Sequence, residues 1–463
     1  MDVRERLAIP AQQVTKQPAS ERVKNWDEVF PGFSADAARV EAARCIHCPS
    51  APCQAACPVQ NDIPAALSRI EQGDILGAAA VFRRTSELPD VCGRVCPQEK
   101  LCEGECVVSF ALHPGPAQPA VAIGKLEAFV ADHERMQGAN LPLPIVQCTG
   151  RRVAIVGAGP AGIAAAERLV RLGHACTIFD SAAEPGGVLT SGIPSFKLNP
   201  EIVKAKIGVL RRLGVVFVSE TRLGQDVTVD GLLTEYGFNA VFLATGAPLG
   251  ARLAIPGEGL SGVYQASEYL TATKRSERGR RVVVIGGGDT SMDCVRTAVR
   301  RGAVGVTCLY RRDKAAMPGR REERLHAEEE GVRFRFLTAP LELRGDGQGH
   351  VRAVFCQEMR LSDRDASGRQ SAVPVARSQF EFEADTVVIA VGYRPDLSTL
   401  RQSDGLKTDH LGRILVDRAT HSTSLRAVFA GGDSVNGADL VVTAMADGQR
   451  AAAAIDQYLS TLS

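Results

Sequence analysis

The chain has 463 residues, of which 45% are apolar and 23% are charged, ordinary values for a globular protein of about three domains. Its 54 Lys and Arg residues nearly balance its 53 Asp and Glu residues, so charge gives no indication of a nucleic acid or an anionic membrane as partner. No window approaches the ~18 consecutive apolar residues of a membrane span, and Met1–Arg6 has no apolar signal core. The sequence therefore predicts a soluble, cytoplasmic protein that binds neither nucleic acid nor membrane.

Residues 1–148 are predicted to form a helical domain rich in cysteine. Helical runs occur at Ala35–Arg44, Ile63–Gln72 and Val121–Glu134, and no strand pattern is present. Most of the 13 cysteines fall in two consecutive patterns, C-x2-C-x4-C-x3-C-P and C-x3-C-P-x4-C-x3-C, made of Cys45, Cys48, Cys53, Cys57, Cys92, Cys96, Cys102 and Cys106. The Cys-Pro endings are typical of ferredoxin clusters, whereas zinc sites usually present two C-x2-C hairpins. Two [4Fe–4S] clusters are predicted, with zinc as the alternative.

The segment Leu141–Pro144 is interpreted as a linker, after which the sequence alternates between strands and helices as in a parallel α/β sheet. Strand Val153–Val156 leads into Gly157-x-Gly159-x-x-Gly162, the turn that binds the pyrophosphate of a dinucleotide at a helix N-terminus. Asp180 ends the next strand, where a carboxylate accepts hydrogen bonds from a ribose. A merely structural glycine turn is the alternative.

A second strand and glycine turn follow at Val282–Ser291, with Gly286, Gly288 and a serine, Ser291, in place of the third glycine. The strand after it ends in Arg311 and Arg312 rather than in an acid. Guanidinium groups at this position favour a 2′-phosphate and therefore NADPH over NADH. A solvated basic strand end is the alternative.

Two nucleotide sites in one chain indicate a flavin and the nicotinamide that reduces it. The first turn is the better flavin site, because Gly186 and Gly187 form a loop that could approach a cofactor and Asp433 ends a late strand, Val428–Asp433. A helix cap or a plain turn residue is the alternative for Asp433.

Short strands ending in Gly246 and Gly392 bracket the second turn, so the second nucleotide domain is predicted to be inserted into the first. The fold class is α/β, with an N-terminal helical iron–sulfur domain followed by two Rossmann-like domains. The predicted boundaries are 1–148 for the [4Fe–4S] domain, 149–248 and 390–463 for the FAD domain, and 249–389 for the NADPH domain.

Several strings resemble, nearly end to end, the small subunit family of NADPH-dependent glutamate synthase and the related modules of dihydropyrimidine dehydrogenase and NADH-dependent ferredoxin:NADP oxidoreductase. The strings are Cys92–Gln98 (CGRVCPQ), Leu101–Gly104, Gly186–Leu189, Gly192–Pro194, Phe196–Leu198, Gly286–Cys294 (GGGDTSMDC), Tyr310–Asp313, Met317–Gly319 and Gly437–Ala444.

The resemblance implies FAD at Gly157–Gly162 and NADPH at Gly286–Ser291, a turn that includes Asp289. It further implies that one cluster is held by Cys45, Cys48, Cys53 and Cys106, and the other by Cys57, Cys96, Cys102 and a non-cysteine ligand. Glu127 matches that ligand, with a helix-surface glutamate as the alternative, and Cys92 is left as a bystander.

The implied function is an NADPH-oxidising, electron-input subunit that passes electrons through its flavin and clusters to the large subunit of glutamate synthase. Two alternatives stay open. The same module could serve another flavin-containing acceptor subunit, of the dihydropyrimidine dehydrogenase or ferredoxin:NADP oxidoreductase kind, or the chain could be a zinc-containing, nucleotide-binding redox sensor.

Overall fold

The computed structural model describes residues 1–138, 147–272, 275–365, 368, 370–400 and 403–462. The predicted linker Leu141–Pro144 lies outside them. Residues 1–138 are helical and contain no strand, as the sequence predicts. Their helices are α1 (Val3–Ala8), α2 (Ala19–Arg22), α3 (Ala35–Ala43), α4 (Pro52–Ala55), α5 (Ile63–Glu71), α6 (Ile75–Phe82), α7 (Pro89–Val95) and α8 (Ile123–Met136), with 3₁₀ turns at Gln98–Lys100 and Val107–Phe110.

The helix limits in this part follow from local chemistry. The Ser34 hydroxyl accepts a hydrogen bond from the amide of Ala37 and starts α3, and the Asp62 carboxylate does the same for Ala65 at α5. Gly73, at φ +81°, lies just past the end of α5, in the left-handed conformation that glycine adopts at little cost.

The next unit is a parallel sheet with the strand order β15-β4-β1-β2-β3. Its strands are β1 (Arg152–Val156), β2 (Ala175–Phe179), β3 (Val216–Val218), β4 (Ala240–Leu243) and β15 (Val428–Ala430), and its helices are α9 (Pro160–Arg171), α10 (Val188–Ser191), α11 (Pro200–Arg212), α12 (Val229–Thr234), α16 (Asp433–Asn436) and α17 (Val441–Ser460). The last strand, β15, pairs with β4 although 184 residues lie between Leu243 and Val428. This unit is therefore completed only after the chain has formed another.

That other unit is a second parallel sheet, with the strand order β6-β13-β7-β8-β9. Its strands are β6 (Val263–Gln265), β7 (Arg281–Ile285), β8 (Gly305–Leu309), β9 (Arg333–Arg335) and β13 (Thr386–Ile389), and its helices are α13 (Ala266–Thr271), α14 (Asp289–Arg300) and α15 (Arg321–Glu329). A 3₁₀ turn, Leu397–Leu400, follows it. Antiparallel strands extend the unit and connect it to the first: β10 (Thr338–Gly345), β11 (Val351–Leu361) and β12 (Ala372–Glu383) form one sheet, and β5 (Leu249–Gly250) pairs with β14 (Tyr393–Arg394).

The buried core shows which units touch. One apolar cluster joins the first sheet and helices α9 and α17 to Cys92 and Cys96 of the helical domain. A separate cluster, which includes Cys45, Cys53 and Cys106, belongs to the helical domain alone. Cys106 therefore shares a core with Cys45 and Cys53, whereas Cys92 and Cys96 share one with the first sheet.

Candidate functional site

The first glycine turn lies at the carboxyl end of β1, where α9 begins. Gly157 has φ +110°, and a Cβ on it would lie 2.2 Å from the carbonyl oxygen of Ala244, so a side chain has no room. A Cβ on Gly162 would lie 2.0 Å from the Gly157 oxygen, which shows how closely α9 approaches the strand. Gly159 differs from both, because nothing lies within 4 Å of its Cβ position. Open space beside the helix N-terminus is the cradle that a pyrophosphate needs.

Two other predicted residues lie beside this turn. A Cβ on Gly187 would lie 2.9 Å from the Cα of Gly159, so the two glycine segments face each other. Asp433 begins α16, and the preceding Gly432 approaches the Cβ of Ala161 in the first turn of α9. Burial raises the pKa of Asp433 to about 7, and an amide hydrogen bond from Asp439 lowers it in part.

Asp180 lies at the end of β2, next to the same turn. Its Oδ2 accepts a hydrogen bond from the amide of Ala158 at 2.6 Å, and its Oδ1 accepts one from Ala182 at 2.8 Å. The carboxylate therefore shapes the turn, and each oxygen keeps a further lone pair for a ribose hydroxyl.

The second turn has the same construction at the end of β7. Gly286 has φ +148°, and a Cβ there would lie 2.1 Å from the oxygen of Ala390, whereas the Cβ position of Gly288 is open. Ser291 is fully buried, and its hydroxyl donates to the oxygen of Ala390 at 3.2 Å. The serine that stands in place of the third glycine therefore has its buried hydroxyl hydrogen-bonded. Asp289, the first residue of α14, accepts a hydrogen bond from the amide of Arg320.

The two arginines after β8 are not equivalent. Arg312 donates from Nε to the hydroxyl of Tyr310 at 3.1 Å, and the Tyr310 ring covers Gly287 of the turn. Arg311 is exposed and makes no hydrogen bond or ion pair within the described part of the chain. The guanidinium of Arg311 is therefore more available than that of Arg312 to bind a 2′-phosphate.

The first thiol set consists of Cys45, Cys48, Cys53 and Cys106, which line one cavity together with apolar side chains such as Ile63 and Val121. Burial raises the pKa of Cys53 to about 12, and the neighbouring thiols Cys106, Cys45 and Cys48 raise it further. Four soft donors around an apolar cavity fit an iron–sulfur cluster. The grouping is the one that the resemblance implies.

The second thiol set consists of Cys57, Cys96 and Cys102. Burial raises the pKa of Cys57 to about 11, and the charges of Glu127 and Cys96 act in the same direction. The pKa of Cys102 is raised by burial and by Glu103, Cys96, Glu127 and Cys57. These thiols and the Glu127 carboxylate are therefore neighbours, and the donor set fits a second cluster.

Glu127 lies on α8 and is only 7% exposed, which does not fit a helix-surface glutamate. Its Oε1 accepts a hydrogen bond from Asn61 Nδ2 at 3.2 Å. Burial raises its pKa well above the ordinary value, and the charge of Cys96 adds to the increase. Cys92, the predicted bystander, is buried, and its neighbour Cys96 and burial raise the pKa of its thiol well above the ordinary value.

The described residues contain neither a site for a single metal ion nor a membrane-spanning helix. In this part of the chain, no three His, Cys, Asp or Glu side chains converge closely enough to hold a single metal ion. Among the described helices, none is both long and apolar enough to cross a membrane.

The sequence patterns missed several polar residues that join the units. Lys197 donates to Asp293 of α14 at 3.1 Å, with both side chains almost fully buried. Arg320 Nη2 donates to Gln98 Oε1 at 3.0 Å across 222 residues of sequence. Lys197 and Gln98 fall in strings that resemble the family, but a string shows no contact partner so far away in the chain.

Two family models match the chain. "Pyridine nucleotide-disulphide oxidoreductase" matches residues 151–448, and "Dihydropyrimidine dehydrogenase domain II, 4Fe-4S cluster" matches residues 22–139. The matches meet between the helical domain and β1, close to the predicted boundary.

Curated relatives cover nearly the whole chain. The glutamate synthase [NADPH] small chain of Escherichia coli K12 is 40% identical over 461 residues, which are 96% of each protein. The subunit beta of an NADP(+)-dependent formate dehydrogenase from Moorella thermoacetica is 38% identical over 89% of this chain and 60% of its own length.

Solved structures show the same fold over the two sheets. Mycobacterium tuberculosis FprA in complex with NADPH superimposes with a TM-score of 0.58 at 21% identity, covering 67% of this chain and 84% of that one. Thioredoxin reductase of T. acidophilum gives a TM-score of 0.51 at 21% identity, covering 67% of this chain and all of that one.

Proposed function

The chain belongs to the pyridine nucleotide-disulphide oxidoreductase family, and from this premise we propose that it is the cytoplasmic, electron-input small subunit of a glutamate synthase. It is an NADPH-dependent oxidoreductase that uses FAD and [4Fe–4S] clusters. The residues of the first glycine turn would hold FAD, whose chemistry would be to convert a two-electron hydride transfer from NADPH into single electrons for the clusters. Its large partner subunit would use them to form glutamate from glutamine and 2-oxoglutarate.

The observation that supports this function most is that the buried cores connect the FAD domain with the thiol sets, which gives electrons a continuous route. Cys96 belongs to the same buried core as α9, the helix that begins at the first glycine turn. Cys45, Cys53 and Cys106 of the first thiol set belong to the core of the helical domain, and Cys102 of the second set packs against that core. Electrons would therefore leave the FAD domain through the second thiol set and reach a partner through the first.

We assign the residues to cofactors accordingly. The FAD domain, 149–248 with 390–463, would hold its cofactor through Gly157, Gly159, Gly162, Asp180, Gly186, Gly187 and Asp433. The domain at 249–389 would hold NADPH through Gly286, Gly288, Asp289, Ser291, Arg311 and Arg312. The first cluster would take Cys45, Cys48, Cys53 and Cys106, and the second Cys57, Cys96, Cys102 and Glu127.

The residues of the chain bind, orient and insulate rather than perform acid–base chemistry. The open positions at Gly159 and Gly288 admit the phosphates at two helix N-termini. The pair of Lys197 and Asp293 fixes the approach of α14 to the first unit, and its burial keeps water out of the contact between the two nucleotide domains.

Metal and flavin content tests the cofactor assignment. Protein purified anaerobically should contain about eight iron atoms, about eight acid-labile sulfides and one FAD per chain, the stoichiometry of two [4Fe–4S] clusters and one flavin. Zinc in place of iron and sulfide would support the redox-sensor alternative and overturn the proposal.

The partner is tested by anaerobic affinity purification of the tagged chain from its own cells, followed by mass spectrometry. A stoichiometric large amidotransferase subunit would support glutamate synthesis. The similarity to the formate dehydrogenase beta subunit favours a second candidate, the same module in another assembly. A different acceptor subunit in the complex would select that candidate and overturn the glutamate assignment.

A further inference from the structure

A short loop of the second nucleotide domain, residues 318–320, packs against the glycine turn. The amide of Gly319 donates to the oxygen of Gly287 at 2.9 Å, and the amide of Arg320 donates to Asp289 Oδ1 at 3.0 Å. A Cβ on Gly319 would lie 3.1 Å from both Gly287 and Gly288, so the fit is tight. A shift of the turn would therefore move this loop with it.

The same loop contacts the chain between two cysteines of the second thiol set, residues 96–102, hereafter the cysteine loop. The Arg320 guanidinium is 5% exposed; it donates from Nη1 to the oxygen of Arg94 at 2.6 Å and from Nη2 to Gln98 Oε1 at 3.0 Å. Lys100 Nζ also donates to the oxygen of Pro318. Arg320 thus touches the nucleotide turn through its backbone and the cysteine loop through its side chain.

Gln98 is the residue around which the cysteine loop is folded. Its Nε2 donates to the oxygen of Gly93 at 3.1 Å, and its own backbone oxygen accepts from the amides of Leu101, Glu103 and Gly104 at 2.9 to 3.1 Å. A Cβ on Gly124 would lie 2.3 Å from Gln98 Nε2, so the Gln98 side chain packs directly against the backbone of α8. A displacement of Gln98 would therefore change the positions of Cys96 and Cys102.

Ion pairing alone does not require an arginine at this position, because a lysine carries the same charge. Burial lowers the pKa of Arg320, but the charges of Glu323, Glu322, Glu99 and Asp289 raise it above the ordinary value, and Glu322 lies 3.1 Å from Nη2. A planar guanidinium, however, fixes two acceptors in one geometry, which a flexible lysine does not. Such a contact is suited to transmitting a change of position between two units.

We propose that Arg320 is a positioning residue that couples nucleotide occupancy at Gly286–Ser291 to the geometry, and hence the reduction potential, of the cluster at Cys96 and Cys102. The inference rests on the proposed assignment of both sites. Coupling between two binding equilibria is reciprocal, so reduction of this cluster would change the affinity for the nucleotide by the same factor.

The test is a redox titration of the holoprotein, monitored by electron paramagnetic resonance, with and without 2′-phospho-ADP-ribose. This probe has the phosphates of NADP⁺ but no nicotinamide, so the titrant cannot reduce it. The wild-type protein should show at least about five-fold coupling, which is a shift of about 40 mV in the potential of one cluster at 59 mV per tenfold for one electron.

Three variants separate position from charge. Arg320→Lys keeps the charge and Arg320→Gln removes it, and the shift should fall below one third of the wild-type value in both, because neither forms the two-acceptor contact. Arg321→Gln is the matched control, since its exposed side chain makes no hydrogen bond or ion pair in the described part of the chain, and it should keep the shift. A full shift in Arg320→Lys would show a through-space charge effect and overturn the proposal.

A second measurement on the wild-type protein does not depend on any variant folding. Hydrogen exchange at the amides of Leu101, Glu103 and Gly104 should slow by about five-fold or more when 2′-phospho-ADP-ribose binds. Unchanged exchange would overturn the coupling. Iron content and probe affinity, measured on the same preparation, distinguish the two failures: loss of either contradicts the proposed function, whereas both present with no shift contradicts the role of Arg320 alone.

Discussion

At the scale of single residues, identical side chains have different tasks in this protein. Arg311 and Arg312 are adjacent, yet only Arg312 is held by the Tyr310 hydroxyl, and that tyrosine covers the glycine turn. Under the proposed assignment, a change at Arg312 would therefore disturb the binding of any nucleotide, whereas Arg311 would contact the 2′-phosphate alone. Cysteines differ in the same way, because Cys176 is an isolated buried thiol whereas Cys53 lies among three others.

Arg311→Ala should raise KM for NADPH by about 10- to 100-fold and leave KM for NADH within about two-fold. The reason is the loss of one charge-assisted hydrogen bond, worth about 1.5–3 kcal/mol, to a phosphate that NADH lacks. Steady-state kinetics with both nucleotides measures it. Arg333→Ala, an exposed arginine on the neighbouring strand β9, is the matched control. Equal effects of Arg311→Ala on the two nucleotides would contradict the assignment.

At the scale of elements, each strand, turn and helix unit contains glycines of two kinds. Gly157 and Gly162 are required by the chain itself, because a Cβ at either would collide with backbone. Gly159 is not, since the space beside it is open. The fold therefore requires the first and third glycines, and we propose that the second is needed for the cofactor.

Gly159→Ala should accordingly leave the melting temperature of the flavin-free protein within about 2 °C of wild type while lowering FAD content several-fold, because the added methyl group occupies the phosphate cradle. Absorbance at the flavin band and a thermal melt measure the two quantities. Gly115→Ala, at another open glycine in a loop of the helical domain, should change neither. Full FAD content in Gly159→Ala would mean that the pyrophosphate lies elsewhere.

At the scale of the whole molecule, a buried acid ties the N-terminal segment to the second nucleotide domain. Glu330, at the end of α15, accepts hydrogen bonds from Arg22 at 2.7 Å and from Arg296 and Arg300 at 2.8 Å. Its side chain is fully buried. Removing one member of such a network leaves the other charges buried without a partner, which costs more than the network itself contributes.

Glu330→Gln should therefore lower the free energy of unfolding by about 3–5 kcal/mol at pH 7. The hydrogen bonds with Arg296 and Arg300 lower the pKa of Glu330 from 4.5 to about 2 against the opposing effect of burial. A depressed carboxyl pKa stabilises the fold above pH 4.5, and this contribution is lost as the pH falls towards 2. The difference between variant and wild type should stay constant from pH 8 to 5.5 and shrink below about pH 4.5.

Denaturant unfolding at several pH values measures this difference. Glu328→Gln is the matched control, because Glu328 lies on the same helix in a partly exposed pair with Lys314 and should cost at most about 1 kcal/mol. A difference that shrinks already between pH 8 and 6 would assign the effect to another group.

The sequence by itself determined the strands and helices around the glycine turns and the types of residue that are available to bind cofactors. Strand periodicity and glycine spacing predicted the starts of β1 and β7 within about one residue, because these signals are local and depend on backbone sterics. Helical periodicity predicted the helical domain, the cysteine spacing predicted its iron–sulfur character, and the resemblance implied which thiols belong together. The residue assignments and domain limits stay predictions.

Only the tertiary structure decided how the units meet. It placed Cys96 in the core of the first sheet, buried Glu127, and joined Arg320 to Gln98 and Lys197 to Asp293. No local pattern contains these contacts, because each partner is specified by packing between elements that lie far apart in the chain. A motif determines which chemistry a residue can perform, whereas the fold determines which distant residue its side chain contacts.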